Sequence, residues 1–278
     1  MASKLILLEG LPCSGKTSGA RYVASQLRGW HKDVRLFTDE ASVNPVDLKN
    51  YAFLTPEQYR EFPESDRVLF NGEKLEDPSG WLIPLTDLDE SIAAELESYC
   101  FYGCQPWEIE RKVILYRWKT FAAKAEKESA IYIFDGFFLE SIVNEMMMWF
   151  DLSQTEIDGF MKELADVIRP LEPLIIYLES DQIEARIREI SAEHDYDWLR
   201  DLVAYYTGQR KSDEDNAPDL DACTLSLEAR QMVELKLIAK LGLDRIILKN
   251  AHTDWVEAYN FIRARIYEKT TGKPSTDI

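Results

Sequence analysis

The chain has 278 residues, 46% hydrophobic and 29% charged, with 12 glycines and 11 prolines, a globular composition long enough for one large α/β domain carrying an insertion. Its 50 acidic against 32 basic residues give a net charge of −18, which argues against nucleic acid or an anionic membrane as partner, since both would be repelled. No apolar run approaches the roughly 18 residues of a membrane span, the N-terminal apolar run is too short for a secretory signal, and the four cysteines are scattered. The sequence therefore predicts a cytoplasmic protein with reduced thiols.

Residues 4–9 (KLILLE) read as a buried strand, followed at once by a glycine-rich turn and a helix over about 16–28 with Ala20, Val23, Ala24 and Leu27 facing inward. A second strand is expected at 33–38, and then an insertion of about 41–129 with helices over 55–62, 88–101 and 107–125 and no buried strand. Cys100 and Cys104 are four apart, a spacing that on a helix would let them face one way. Zinc would need two more nearby ligands, and His31, His194 and His252 are remote in sequence, so the two thiols read as packing.

Further strands are expected at 131–134 (IYIF), 174–179 (LIIYLE) and 245–249 (RIILK), each short, apolar and followed by a helical stretch. That alternation predicts a five-stranded parallel sheet with helices on both faces, whose ligands bind at the carboxyl ends of the strands. Residues 194–223 are irregular, rich in Asp and Tyr, and have the length of a lid; a helix is expected over 224–241. The whole of 1–278 reads as one domain.

The turn Gly10-Leu11-Pro12-Cys13-Ser14-Gly15-Lys16-Thr17 matches G-x-x-x-x-G-K-[ST] in full, after a predicted strand and at the start of a predicted helix. In that pattern the glycines let successive N–H groups curl inward around phosphates and the helix N-terminus adds its positive end. Lys16 reaches the β and γ phosphates, and Thr17 offers a hydroxyl to Mg²⁺. The expected nucleotide contacts are Gly10 through Thr17 and Ser18, with ATP and Mg²⁺ as the bound species. Asp135 closes the third predicted strand and is expected near the metal; capping the following helix is the alternative.

The turn, Asp135-Gly136-Phe137 and Leu178-Glu-Ser-Asp-Gln-Ile-Glu-Ala-Arg186 together resemble the nucleoside and nucleoside monophosphate kinase branch of P-loop proteins. The likeness follows the order of elements over most of the chain, and only the turn is highly specific. It implies the P-loop NTPase fold, a helical acceptor-binding insertion before the third strand, and a lid after the fourth with arginines that close on the transferred phosphate. Phe138 and Leu139 stand where adenylate kinases carry Pro-Arg, so AMP is not implied as acceptor. The Asp-Arg-Tyr of thymidylate kinases and the Glu-Arg-Ser of deoxynucleoside kinases are absent too. Asn44-Pro-Val-Asp-Leu48 resembles a segment of bacterial ATPase-like proteins and points to no substrate.

Asp39 and Glu40 follow the second strand, where a carboxylate would orient an acceptor hydroxyl; Asp39 is the first choice. Arg186 is the expected catalytic cation beside Lys16. Arg188, Arg210, Lys211, Arg111 and Arg117 read first as surface ion-pair partners. Trp81, Trp107, Tyr116, Trp118 and Phe121 offer stacking surface, with packing the plainer reading. The leading expectation is an enzyme, a kinase moving the γ-phosphate of ATP to a small-molecule acceptor such as a nucleoside, a nucleotide or another hydroxylated metabolite. The alternative is a nucleotide-dependent switch or ATPase with a protein partner. Oligomeric state is left open, a homodimer included.

Overall fold

The computed structural model describes residues 2–38, 44–207 and 219–277. The chain divides into two compact units, 1–43 with 122–278, and 44–121. Asp39 and Glu40 lie outside the described residues, as do Arg210 and Lys211.

The first unit opens with β1 (Leu5–Gly10), buried along its whole length, α1 (Lys16–Gly29) and β2 (Val34–Phe37). The second unit contains β3 (Tyr51–Leu54), α2 (Pro56–Glu61), α3 (Glu64–Arg67), β4 (Glu73–Glu76), β5 (Ser79–Pro84) and α4 (Glu90–Glu95). The boundary between the units falls within α5 (Trp107–Lys127). The first unit then resumes with β6 (Ile131–Asp135), α6 (Glu140–Met148), α7 (Gln154–Ile168), β7 (Leu174–Glu179) and α8 (Ile183–Ser191). It ends with α9 (Tyr196–Thr207), α10 (Leu220–Lys240), β8 (Asp244–Lys249) and α11 (Trp255–Thr271).

The first unit is an α/β layer structure. Its five strands are all parallel in the order β2-β6-β1-β7-β8, which places β1 at the centre. Alternate residues of β1 face opposite layers, and Leu5 to Leu8 are buried on both, so this part of the strand reads as an unbroken hydrophobic run. On one face Ile6 and Leu8 meet Ile131, Ile133, Leu174 and Ile176. Ala20, Val23, Ala24 and Leu27 of α1, spaced by three and four, pack there with Ile262 and Ile266 of α11. Each fully buried Ile or Leu in this layer contributes about 1.5–3 kcal/mol. Helix α7 begins at a reciprocal cap between Ser153 and Glu156 and buries Ile157, Phe160, Met161, Leu164 and Ile168 along one stripe.

The second unit corrects the all-helical expectation for the insertion. Strands β3, β5 and β4 form an antiparallel sheet in that order. One core joins Ala52, Leu54, Phe70, Ile83 and Leu96, and the Tyr59 ring stacks on Trp81 at 4.0 Å. Trp118 and Phe121 meet edge to face at 5.9 Å, so packing accounts for both. The helix expected over 88–101 is shorter, α4 plus a 3-10 turn at Glu97–Tyr99. Cys100 and Cys104 therefore lie beyond it in a loop rather than on a shared helical face.

The stretch read as irregular at 194–223 contains α9, and α10 starts at Leu220, four residues before the expected start, where the Asp219 carboxylate accepts from the Ala222 N–H. No helix among the described residues is long and apolar enough to cross a membrane.

Candidate functional site at the carboxyl end of the central strand

The loop between β1 and α1 is held in a shape that side chains resist. Gly10 and Gly15 have φ of 143° and 91°, and Cys13 takes φ 63° between them. Gly15 is also covered: a Cβ there would lie 2.5 Å from the Trp255 ring of α11. Trp255 stacks on Tyr259, which stacks on Tyr22 of α1, so an aromatic column braces the helix N-terminus. Leu11 is 1% exposed and packs with Ile183, Ile187, Val203, Tyr206 and Leu227, tying the loop to α8, α9 and α10.

Lys16 does not extend into solvent. Its Nζ donates to the Leu11 carbonyl at 2.8 Å and pairs with Glu140 Oε2 at 3.0 Å. Burial acts to lower the Lys16 pKa, but the carboxylates of Glu140 and Asp135 outweigh it and raise the pKa, so Lys16 is a firm cation. The neighbouring Cys13 thiol is pushed up to about 11, chiefly by burial, and is inert as a nucleophile at neutral pH.

Asp135 reaches the same place because β6 pairs directly with β1, with Asp135 in register with Leu8. The carboxyl is buried, and neither oxygen has a partner in hydrogen-bond geometry among the described residues. Burial raises its pKa, and the Lys16 charge and the nearby Thr17 hydroxyl offset part of that rise. A buried carboxylate with both oxygens unclaimed, beside a hydroxyl, fits a hard divalent cation that takes its other ligands from phosphate and water. No group of three or more His, Cys, Asp or Glu among the described residues is arranged to hold a metal alone.

Arg186 on α8 also reaches the loop: Nη2 donates to the Cys13 carbonyl at 3.3 Å, while Nη1 pairs with Glu189. Beside it a narrow cleft runs between Pro12 and Cys13, Ser180 after β7, and Ala251 and His252 after β8. Arg188 pairs with Glu184 on the surface at 2.7 Å. Arg117 donates to the carbonyls of Asn44 and Asp47 and lies over Tyr51, a structural bond within the second unit. The structure thus brings together Lys16, Thr17, Asp135 and Arg186. Asp39, the proposed base, falls outside the described residues.

Sequence reasoning passed over a buried charge network around Lys16. Glu140, at the start of α6, faces Lys16 with one oxygen; the other accepts from the Tyr206 hydroxyl at 3.2 Å and lies 3.6 Å from Arg230. Arg230 is 2% exposed and pairs at 3.2 Å with Glu234, whose other oxygen accepts from the Tyr177 hydroxyl at 2.5 Å. Gly136, at φ 80°, makes room for the first pair: a Cβ there would lie 2.6 Å from Glu140 Oε2. The signal was present in α10, where Arg230 and Glu234 continue the apolar stripe of Cys223, Leu227, Leu237 and Ile238. Charges at core positions of an amphipathic helix point to a buried pair.

Glu9 completes the network. It is fully buried, and its two oxygens accept from the N–H groups of Phe138 at 2.9 Å and Glu140 at 3.0 Å, which fixes the turn leading into α6. Burial pushes its pKa up to about 8; the two N–H bonds pull it down, and the Glu234 and Glu140 charges raise it. Between about pH 4.5 and 8 the folded chain therefore keeps a proton that the unfolded chain releases. The stability contributed by this group is full below about 4.5 and is lost as pH rises through about 8. Glu9→Gln is expected to flatten that part of the profile, where the wild-type slope reaches up to about 1.4 kcal/mol per pH unit. Urea unfolding of both proteins from pH 5 to 8.5 measures it, and identical slopes would mean that Glu9 is ionised in the folded chain.

No protein-family model matches the chain, and no curated protein matches it.

Proposed function

We propose that the chain is a Mg²⁺-dependent phosphotransferase of the P-loop class, moving the γ-phosphoryl group of a nucleoside triphosphate, ATP in the first instance, to a small-molecule acceptor. The observation that carries this reading is the buried carboxylate of Asp135, brought by the strand paired with β1 to where the Lys16 charge and the Thr17 hydroxyl both act on it, with neither of its oxygens in hydrogen-bond geometry among the described residues. In this reading N–H groups of the 10–17 loop cradle the phosphates and Lys16 turns from Leu11 and Glu140 toward them. Thr17 and Asp135 would hold Mg²⁺, which when bound neutralises charge on the β and γ phosphates. Arg186 approaches from the cleft side, where it stabilises the charge that spreads over the transferred group. Phosphoryl transfer needs positioning and charge neutralisation more than covalent help, and these residues supply both. The acceptor is a hydroxyl or phosphate of a nucleoside, nucleotide or other metabolite.

A second reading, a nucleotide-dependent ATPase regulated by a protein partner, draws on Val68 and Leu69 of the second unit, 77% and 50% exposed. Measuring ADP release from Mg²⁺-ATP against nucleosides, nucleoside monophosphates, sugars and amino-alcohols separates the two. Stimulation by one acceptor class is the result expected of a phosphotransferase. A slow rate indifferent to every compound favours the partner-regulated ATPase, and no ADP release or triphosphate binding at all removes both.

A further inference from the structure

The proposed function asks Lys16 to bind phosphate, yet its ammonium already has two partners, and both are anchored in the helices that follow β7. The Leu11 carbonyl belongs to a residue whose side chain is sealed among α8, α9 and α10. The Glu140 carboxylate is shared between Lys16 on one oxygen and Tyr206 with Arg230 on the other. This sharing is built into the backbone. The Glu140 N–H is fixed on Glu9, the Ser141 hydroxyl closes onto the Gly136 carbonyl at 2.8 Å, and only a glycine at 136 leaves space for the Glu140 oxygen that meets Lys16.

Resting on the phosphotransferase reading, we propose that Glu140 is a positioning residue that competes with the nucleotide's phosphates for Lys16, and that the Tyr206 hydroxyl sets how strongly it competes. A carboxylate that accepts a hydrogen bond from a phenol and faces a guanidinium holds a third cation less tightly, because its charge is already partly compensated. When phosphate takes Lys16, Glu140 keeps Tyr206 and Arg230, so its charge is not stranded. Helix α9, through Tyr206 near its end, and α10, through Arg230, thus act on nucleotide affinity without touching the nucleotide.

The two partners of this balance predict changes of opposite sign. Glu140→Gln removes the competing charge at nearly constant shape and is expected to bind the Mg²⁺ complex of a non-hydrolysable ATP analogue about tenfold more tightly than wild type. Tyr206→Phe removes the hydroxyl that tempers Glu140 and is expected to bind it about two- to threefold more weakly. A merely structural role would weaken binding in both variants. Isothermal titration calorimetry of wild type, both variants and Lys16→Ala makes the comparison, with thermal melting to confirm that each is folded. Equal or weaker binding by folded Glu140→Gln overturns the proposal while leaving the proposed function intact. If Glu140→Gln does not fold, Tyr206→Phe decides, and unchanged or tighter binding there overturns it. Failure of wild type to bind any nucleoside triphosphate would instead strike the proposed function, and this inference with it.

Discussion

Lys16→Ala is expected to lower nucleotide turnover by about 10²- to 10³-fold, the usual loss when one preorganised charge on the reacting group is removed. The fold is expected to survive the change. Glu140 loses Lys16 but retains the Tyr206 hydroxyl at 3.2 Å and Arg230 at 3.6 Å, while Asp135, which loses the largest influence holding its pKa down, escapes part of the cost by taking up a proton. The stability change should stay within about 2 kcal/mol, the scale of one charged hydrogen bond. ADP release and thermal melting of the same preparation test both statements. Turnover within threefold of wild type would mean that Lys16 does not carry the phosphate chemistry. A collapse in melting temperature would mean that the Lys16–Glu140 pair serves the fold first.

The largest effect on stability is expected from Arg230→Met. Glu234 is fully buried, and once Arg230 is gone only the Tyr177 hydroxyl faces it. Breaking a buried pair by removing one partner costs about 3–5 kcal/mol, because the remaining charge is uncompensated. The Glu234 pKa is already raised, chiefly by burial, with Arg230 the largest opposing influence. Without that cation the pKa rises further, and the carboxyl escapes part of the penalty by taking up a proton. The loss should therefore be greater at pH 8 than at pH 5. Denaturant unfolding at the two pH values reads the difference, and Arg230→Met with Glu234→Gln should recover most of the stability. A loss below about 1 kcal/mol at pH 8 would show that the pair is not a significant support, as exposed pairs are not.

The five parallel strands were legible because each is a short apolar run bounded by turn chemistry, and in β1, β6 and β7 burial on both faces removes any need for alternation. LILLEG and LIIYLE carry that signature openly. The sheet in the second unit was hidden for the opposite reason. Strand β4 is EKLE, with only Leu75 buried, and β3 and β4 span four residues each, too short for a period of two to register. Their pairing is decided by partners, β5 above all, rather than by local pattern. The glycine-shaped turn at 10–17 and the place of Asp135 beside it were legible because both follow from spacing and from position at a strand end. Glu140 was not: four residues past Gly136, it becomes meaningful only when a positive φ at 136 turns the chain so that its carboxylate meets Lys16. Arg230 and Glu234 were legible in principle, as charges on an apolar stripe, but their i,i+4 spacing also suits an ordinary surface pair.

The central place of β1 sets order of synthesis against order of assembly. Its neighbours are β6 and β7, so Leu5 waits for Tyr132 and Gly10 for Leu178 before its ladder can form. Strands β3, β4 and β5, by contrast, find their strand partners between Tyr51 and Pro84, with one further bridge from Ala52 to Cys100. While the chain emerges from the ribosome, the small antiparallel sheet is complete in sequence well before β1, though made earlier, has anything to pair with. A strand buried along its whole length must therefore remain unpaired until at least Ile131–Asp135 has been made, and closing its loops is the slow, entropically costly part of folding.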